Sequence, residues 1–255
     1  MAEPGAASSG RENSAAGRSK RRALIEIAIA YGLIMLVIWT PHPWQTLLWW
    51  VAVAAVVIIT CISFDGLKAM GLRTANFFRS LWVVGMALAI AVAAALLATR
   101  LHTLRLPGSP LLFIKMYWAY ALWSGVQQFL LQCFFLARLL RVFPRPRQAA
   151  VAAASLFALA HLPSPILASA TIVWGIASCL IFLRYRNLYP LAIAHAIFGI
   201  AIAITIPGRV DHNMRVGLGY LIYGREHHRS HHRSHSDQIA STVAWVTAEI
   251  GRAHV

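Results

Sequence analysis

The sequence predicts an all-α bundle of about seven membrane-spanning helices, and three observations carry that expectation. Its 255 residues are 59% hydrophobic and only 12% charged, with a mean hydropathy of +0.63; soluble domains sit near 25% charged. The apolar residues fall into seven runs, most of them close to the ~20 residues a helix needs to cross a bilayer. The basic residues, 23 Lys and Arg against 8 acids, gather in the tails and in the connections between those runs. That clustering is what membrane topology produces. No RNA- or DNA-binding module is visible, so the net charge of +15 points to no nucleic-acid partner.

Residues Met1–Arg22 are small, polar and basic and read as a disordered cytoplasmic tail. Ala23–Trp39 follows without a small-residue cleavage site, which predicts an uncleaved first span. It carries Glu26, the only acid within a predicted span. An intramembrane acid is a functional candidate by default, but one turn from the basic end it is expected to reach the interface or pair with Arg21 or Arg22. A Pro41-His42-Pro43 turn leads to the second span, Thr46–Phe64, then to a basic connection with Lys68, Arg73 and Arg79. The third span is Leu81–Ala98 and the fourth runs from Leu111 to about Leu136. The run Arg138, Arg141, Arg145 and Arg147 is predicted as a loop, broken by Pro144 and Pro146.

The fifth span, Ala149–Leu162, is halted by Pro163 and Pro165; the sixth is Leu167–Leu183 and the seventh Leu188–Ile206. Together the spans make a transmembrane bundle over 23–207. The basic tail, the 65–80 and 138–147 loops and the 184–187 turn then share one side, the cytoplasm by the positive-inside rule. This makes a multi-pass cell-membrane protein with its N-terminus cytoplasmic and the tail 208–255 outside. The tract His227–His235 reads as a solvated spacer rather than a metal site. The last residues, EIGRAHV, match a translated sequencing adaptor, so the natural chain is expected to diverge after Glu249.

The fourth run carries more polarity than a membrane helix usually tolerates. Tyr117, Tyr120, Ser124, Gln127 or Gln128, and Gln132 recur at three- and four-residue steps, which places them on one broad helical face. An amide without a partner in hydrocarbon costs roughly 2–7 kcal/mol, so this stripe is expected to face other helices or a wet cavity. Two histidines lie within predicted spans. At 1.5 Å per residue, Gln127 stands roughly 15 Å from the cytoplasmic end of its helix, His161 about 20 Å and His195 about 10 Å. Amides and imidazoles from three helices are therefore expected to converge on one cavity.

These residues carry a resemblance. Gln127-Gln128 followed by Gln132, then Phe157-Ala158-Leu159-Ala160-His161, then His195 with Gly199 four residues on, are similar to the three motifs of the CPBP family. That family comprises the intramembrane endopeptidases related to type II CAAX prenyl proteases and to bacteriocin-processing and immunity proteins. Its motifs read Glu-Glu-x-x-x-Arg, Phe-x-x-x-His and His-x-x-x-Asn or Asp; the likeness covers roughly Leu111–Ile206.

The resemblance implies an intramembrane peptide hydrolase acting on membrane-embedded or prenylated proteins within the bilayer. It implies His161, His195, Gln127 and Gln128 as the catalytic positions, with Gln132, Ser124, Tyr120, Phe157 and Gly199 in substrate-binding or supporting places. It further implies zinc as a possible cofactor, with His161 and His195 as ligands. The departures are chemical. Glutamine neither accepts a proton near neutral pH nor ligates metal well, and general-base catalysis supplies about 10²–10⁴-fold. Catalytic zinc takes three protein ligands, so two imidazoles are expected to hold it weakly or not at all. Three readings follow: a working endopeptidase using both histidines; a non-catalytic relative that binds a membrane peptide or lipidated tail as adaptor or immunity factor; and a small transporter or lipid-binding protein.

Overall fold

The computed structural model describes residues 5–64 and 66–223, and every regular element among them is helical. The elements are α1 (Gly5–Trp39), α2 (Trp44–Ile62), α3 (Phe77–Ser80), α4 (Trp82–Arg100), α5 (Pro110–Phe129), a π-helical stretch Leu130–Leu136, α6 (Ala137–Val142), α7 (Pro146–Leu159), α8 (Pro165–Tyr185), α9 (Tyr189–Thr205) and the short α10 (Gly208–Asp211). Four helical segments are long and apolar enough to cross a membrane: Ala16–Trp39, Trp44–Ile62, Phe77–Arg100 and Pro165–Tyr185. A fifth is obtained if Tyr189–Thr205 and Gly208–Met214, bent by 114°, form one span.

Proline at the first turn sets where the later helices begin. Pro110, Pro146, Pro165 and Pro190 each stand there, where the missing N–H is no loss and the fixed φ suits the helix. Ser109 and Ser164 cap α5 and α8, their hydroxyl oxygens accepting from the backbone N–H of Leu112 and Leu167. Arg186 ends α8 in the left-handed region, and the Asn187 side-chain oxygen accepts from the Tyr189 N–H at 3.1 Å to start α9. α1 begins at Gly5, so the helix already includes the basic segment ahead of Ala23. The His227–His235 tract and the last residues lie outside the described residues.

Loop hydrogen bonds sort the helix ends onto two faces. On one, Asn187 donates to the carbonyls of Arg73 and Ala75, Arg73 donates to the Arg186 carbonyl, and the Leu188 N–H donates to Gly71. Gly71 has φ +69, and a Cβ there would press on the Phe182 ring at 2.6 Å. On the other face, Arg105 donates to the α9 carbonyls of Ala203 and Ile204, and the Gly217 N–H donates to Leu162. α7 lies against α8, and its Ala149, Ala150, Ala153 and Ala154 are all fully buried. A side chain at Gly175 would stand 2.9 Å from the Ala154 methyl, so small residues set this close approach.

One expectation about charge is corrected here and one extended. Arg138 is no loop residue: it sits in α6, 4% exposed, donating to the Phe134 carbonyl with its guanidinium 3.7 Å over the Phe134 ring. Glu26 does pair with Arg22 at 2.8 Å, as expected, but its other oxygen accepts from Arg138 at 2.8 Å and Ser63 donates to the first at 2.8 Å. Glu26 is 8% exposed, so beyond the expected Arg22 pair it is a buried tie joining α1 to α6 and to the end of α2.

Candidate functional site

The polar stripe of α5 faces inward. Tyr117, Tyr120 and Gln127 border a cavity of about 1380 Å³, while Ser124, Gln128 and Gln132 are buried beside it. Trp118 and Leu122 of the same helix lie outside the cavity and are exposed. The cavity is also bordered by Phe157 and His161 after α7, by Trp174 of α8, and by His195 and Gly199 of α9; no Asp, Glu, Lys or Arg among the described residues lines it.

Gln128 is the hub. Its amide nitrogen lies 2.9 Å from His195 Nδ1, and its oxygen accepts from Gln132 Nε2 at 3.2 Å. Gln132 Nε2 also donates to Ser178 Oγ at 3.1 Å, and the Ser178 hydroxyl donates to the Gly175 carbonyl at 3.1 Å. All three side chains are buried. Gln132 itself lies in the π-helical stretch that follows α5 and buries Leu131 to Leu136. Such turns shift side chains relative to an α-helical register and recur at functional sites.

His161 is reached differently. The fifth predicted span stops short of it: α7 ends at Leu159, and His161 stands in the turn that follows. The backbone tightens there, His161 N–H donating to Ala158 rather than to Phe157. This leaves the Phe157 carbonyl free, and the His161 ring donates to it through Nδ1 at 2.7 Å. A helix-terminal carbonyl satisfied by a side chain is a C-terminal cap, so the four-residue Phe-to-His spacing has a local structural reason. Phe157 then stands between the two imidazoles, its centroid 4.8 Å from His161 and 5.7 Å from His195, both edge-on.

Of the sequence-derived positions, Gln128, Gln132 and His195 form one hydrogen-bonded cluster. His161 and Phe157 join it through ring contacts. Gln127 shares the cavity but has no hydrogen bond to the cluster among the described residues. Ser124 donates to the Tyr120 carbonyl at 2.9 Å, one turn back in its own helix. Tyr120 lies across Gly199: a Cβ at Gly199 would coincide with its hydroxyl. Sequence reading missed Trp174, edge-on to His195 with centroids 6.4 Å apart, and Ser178, which anchors the glutamine relay. Both sit on α8, whose smooth apolar pattern offered no signal.

The donor set does not fit a catalytic zinc. No group of three or more His, Cys, Asp or Glu is close enough to hold an ion among the described residues. The Nδ1 atoms of both histidines are committed to protein groups, and amides are weak ligands. No carboxylate among the described residues lines the cavity to activate water. What the arrangement offers is an uncharged apolar chamber with imidazole nitrogens and phenol groups along one wall.

Residues 109–201 match the family model of the Rce1-like type II CAAX prenyl endopeptidases, a segment that holds α5 to most of α9 and all the site positions above. No curated protein and no solved structure matches the chain.

Proposed function

We propose, from residues 109–201 as a domain of the Rce1-like type II CAAX prenyl endopeptidase family, that this multi-pass membrane protein receives a membrane-embedded or lipidated peptide in its cavity and holds it without hydrolysis. The observation that carries the reading is the Gln128 amide standing 2.9 Å from His195 in a chamber that no carboxylate among the described residues lines. A general base is worth about 10²–10⁴-fold, and Gln128 supplies none. With Gln132 at the motif's arginine position, the site is neutral throughout. An uncharged hydrogen-bonding cluster is what remains when a buried charged one is given up without leaving an unpaired ion.

The test is incubation of the full chain in lipid nanodiscs with a farnesylated cysteine-terminated peptide and with an unmodified single-span peptide. We expect saturable binding of at least one probe, weakened by Trp substitution at Gly199, and no cleavage product by mass spectrometry. Cleavage that disappears in His161→Ala would overturn the reading.

That second reading, a working endopeptidase, is favoured by one observation. Because His161 is tied through Nδ1 to a carbonyl, its Nε2 carries a lone pair that can take a proton from water.

The seven-span arrangement belongs to the same proposal. In it α5, the π turn and α6 make the fourth crossing. α7, whose 14 residues span roughly 21 Å, makes a short fifth that the turn at His161 completes. The ties from Arg73 to Arg186 and from Arg22 through Glu26 to Arg138 support a common side for the basic segments, which the positive-inside rule makes cytoplasmic. A cysteine placed at Arg145 should therefore stay unlabelled by an impermeant thiol reagent in intact cells and label after lysis. Labelling before lysis sinks the orientation.

A further inference from the structure

His161 and His195 border the same cavity, yet each is held through Nδ1 by a partner of opposite character. The Phe157 carbonyl can only accept, so His161 Nδ1 carries the proton and donates. At His195 the direction is set three bonds away. Ser178 has one hydroxyl proton, and it is used on the Gly175 carbonyl at 3.1 Å, so its oxygen must accept from Gln132 Nε2. That same nitrogen donates its second hydrogen to the Gln128 oxygen, which turns the Gln128 amide nitrogen toward His195. An amide nitrogen donates and does not accept, so His195 Nδ1 accepts and the ring proton sits on Nε2. Reversing the relay would turn the Ser178 proton away from the Gly175 carbonyl and leave both amide hydrogens of Gln132 without an acceptor, where the present arrangement leaves one oxygen, Gln132 Oε1, unmet. Neither ring faces a carboxylate among the cavity-lining residues, so a doubly protonated imidazolium would stand unpaired in an apolar chamber.

We infer that the two histidines are locked in opposite neutral tautomers, His161 presenting a lone pair at Nε2 and His195 presenting an N–H at Nε2, with Gln128 as the positioning residue that sets the second. The ligand consequence rests on the peptide-binding reading above. A secondary amide has a carbonyl that accepts from His195 and an N–H that donates to His161, whereas an ester has acceptors alone. The cavity therefore selects amide over ester on an apolar chain. A glutamate at position 128 would invert the wall, because a carboxylate only accepts and His195 would have to donate through Nδ1, leaving Nε2 basic.

The experiment is nitrogen NMR of the full chain in nanodiscs with ring-labelled histidine, at mildly alkaline pH, the two resonance pairs assigned by their loss in His161→Asn and His195→Asn. The expected spectrum has His161 protonated on Nδ1 and His195 protonated on Nε2, with Gln128→Glu moving the His195 proton onto Nδ1 and leaving His161 unchanged. A wild-type His195 protonated on Nδ1, or both rings in the same tautomer, overturns the inference whether or not the variant folds. Binding of hexadecyl acetamide about tenfold tighter than hexadecyl acetate, the effect of one unmatched buried polar group, supports the selectivity; equal binding removes it. Opposite tautomers together with no binding of either peptide probe defeat the peptide reading alone, so the two failures are distinguishable.

Discussion

Glu26→Leu is expected to cost about 3–5 kcal/mol of stability, the range for breaking a buried ion pair from one side. The reason is the partner left behind. Arg138 is 4% exposed and donates to Glu26 at 2.8 Å, so removing the carboxylate takes the counter-charge from a buried guanidinium while its bond to the Phe134 carbonyl stays. Arg22, whose side chain is 53% exposed, loses the same carboxylate at little cost because it turns to water. Arg138→Met should cost less, because Glu26 keeps Arg22 and the Ser63 hydroxyl, each at 2.8 Å.

The double variant Glu26→Leu with Arg138→Met should recover most of the loss, because well-packed apolar groups replace a buried pair at little net cost. Thermal unfolding of the four proteins in nanodiscs, read by loss of the monodisperse species on heating, forms the cycle. Additive losses in the double variant would mean the pair is not coupled, and the tie between α1 and the 109–201 domain would have to be sought elsewhere.

That tie shows where sequence reading stopped. Glu26 was visible as the lone acid in a span, and Arg22 as its nearest cation, because both lie within one helical turn. Arg138 lies 112 residues away, and a run of four arginines broken by prolines reads as loop. Nothing in the sequence separates Arg138, buried in α6, from Arg141 in the same helix or from Arg145 and Arg147 at the start of α7. The convergence of Gln128, Gln132, His161 and His195 was legible because each would be unsatisfied in lipid and because helical spacing puts the glutamines on one face. The partners within the cluster were not.

A π turn has no side-chain signature, since its i to i+5 bonds are made by backbone alone, yet it sets the placement of Gln132. The run Ala149–Leu162, apolar but for Ser155 and His161 itself, reads as a span; the helix instead ends at Leu159, and the freed Phe157 carbonyl takes the ring. Ser178 and Trp174 were invisible because serine and tryptophan are ordinary in an apolar helix. Polar satisfaction is thus a reliable guide to which residues meet, and a poor one to which atoms do.

Restoring the motif should depend on Tyr120. Rebuilding the charged residues of the family pattern means Gln127→Glu, Gln128→Glu and Gln132→Arg, and the acids alone should fold poorly because unpaired carboxylates in the membrane are costly. The third motif would then need Gly199→Asn. Yet a Cβ at Gly199 coincides with the Tyr120 hydroxyl and crowds the ring edge, so the phenol already fills the space that residue 199 would use. Gly199→Asn alone should therefore push the Tyr120 ring into the cavity, at about 1–3 kcal/mol for overpacking, and block the peptide probes. Adding Tyr120→Ala should relieve both effects, since the ring is then gone and the asparagine amide has room.

In the fivefold variant, with an acid beside His195 and an amide donor in place of the phenol, detectable cleavage of the farnesylated peptide is the expected result. A well-placed oxyanion donor contributes about 10²–10³ in rate, so the fourfold variant that keeps Tyr120 should be slower by that order or inactive. Mass spectrometry of the two reactions side by side decides. Equal rates would mean that Tyr120 moves aside without cost, or that its hydroxyl serves as the donor itself. Tyr120→Phe in the charge-restored background that keeps Gly199 separates these, because losing the hydroxyl slows cleavage only if the phenol is the group that holds the developing negative charge.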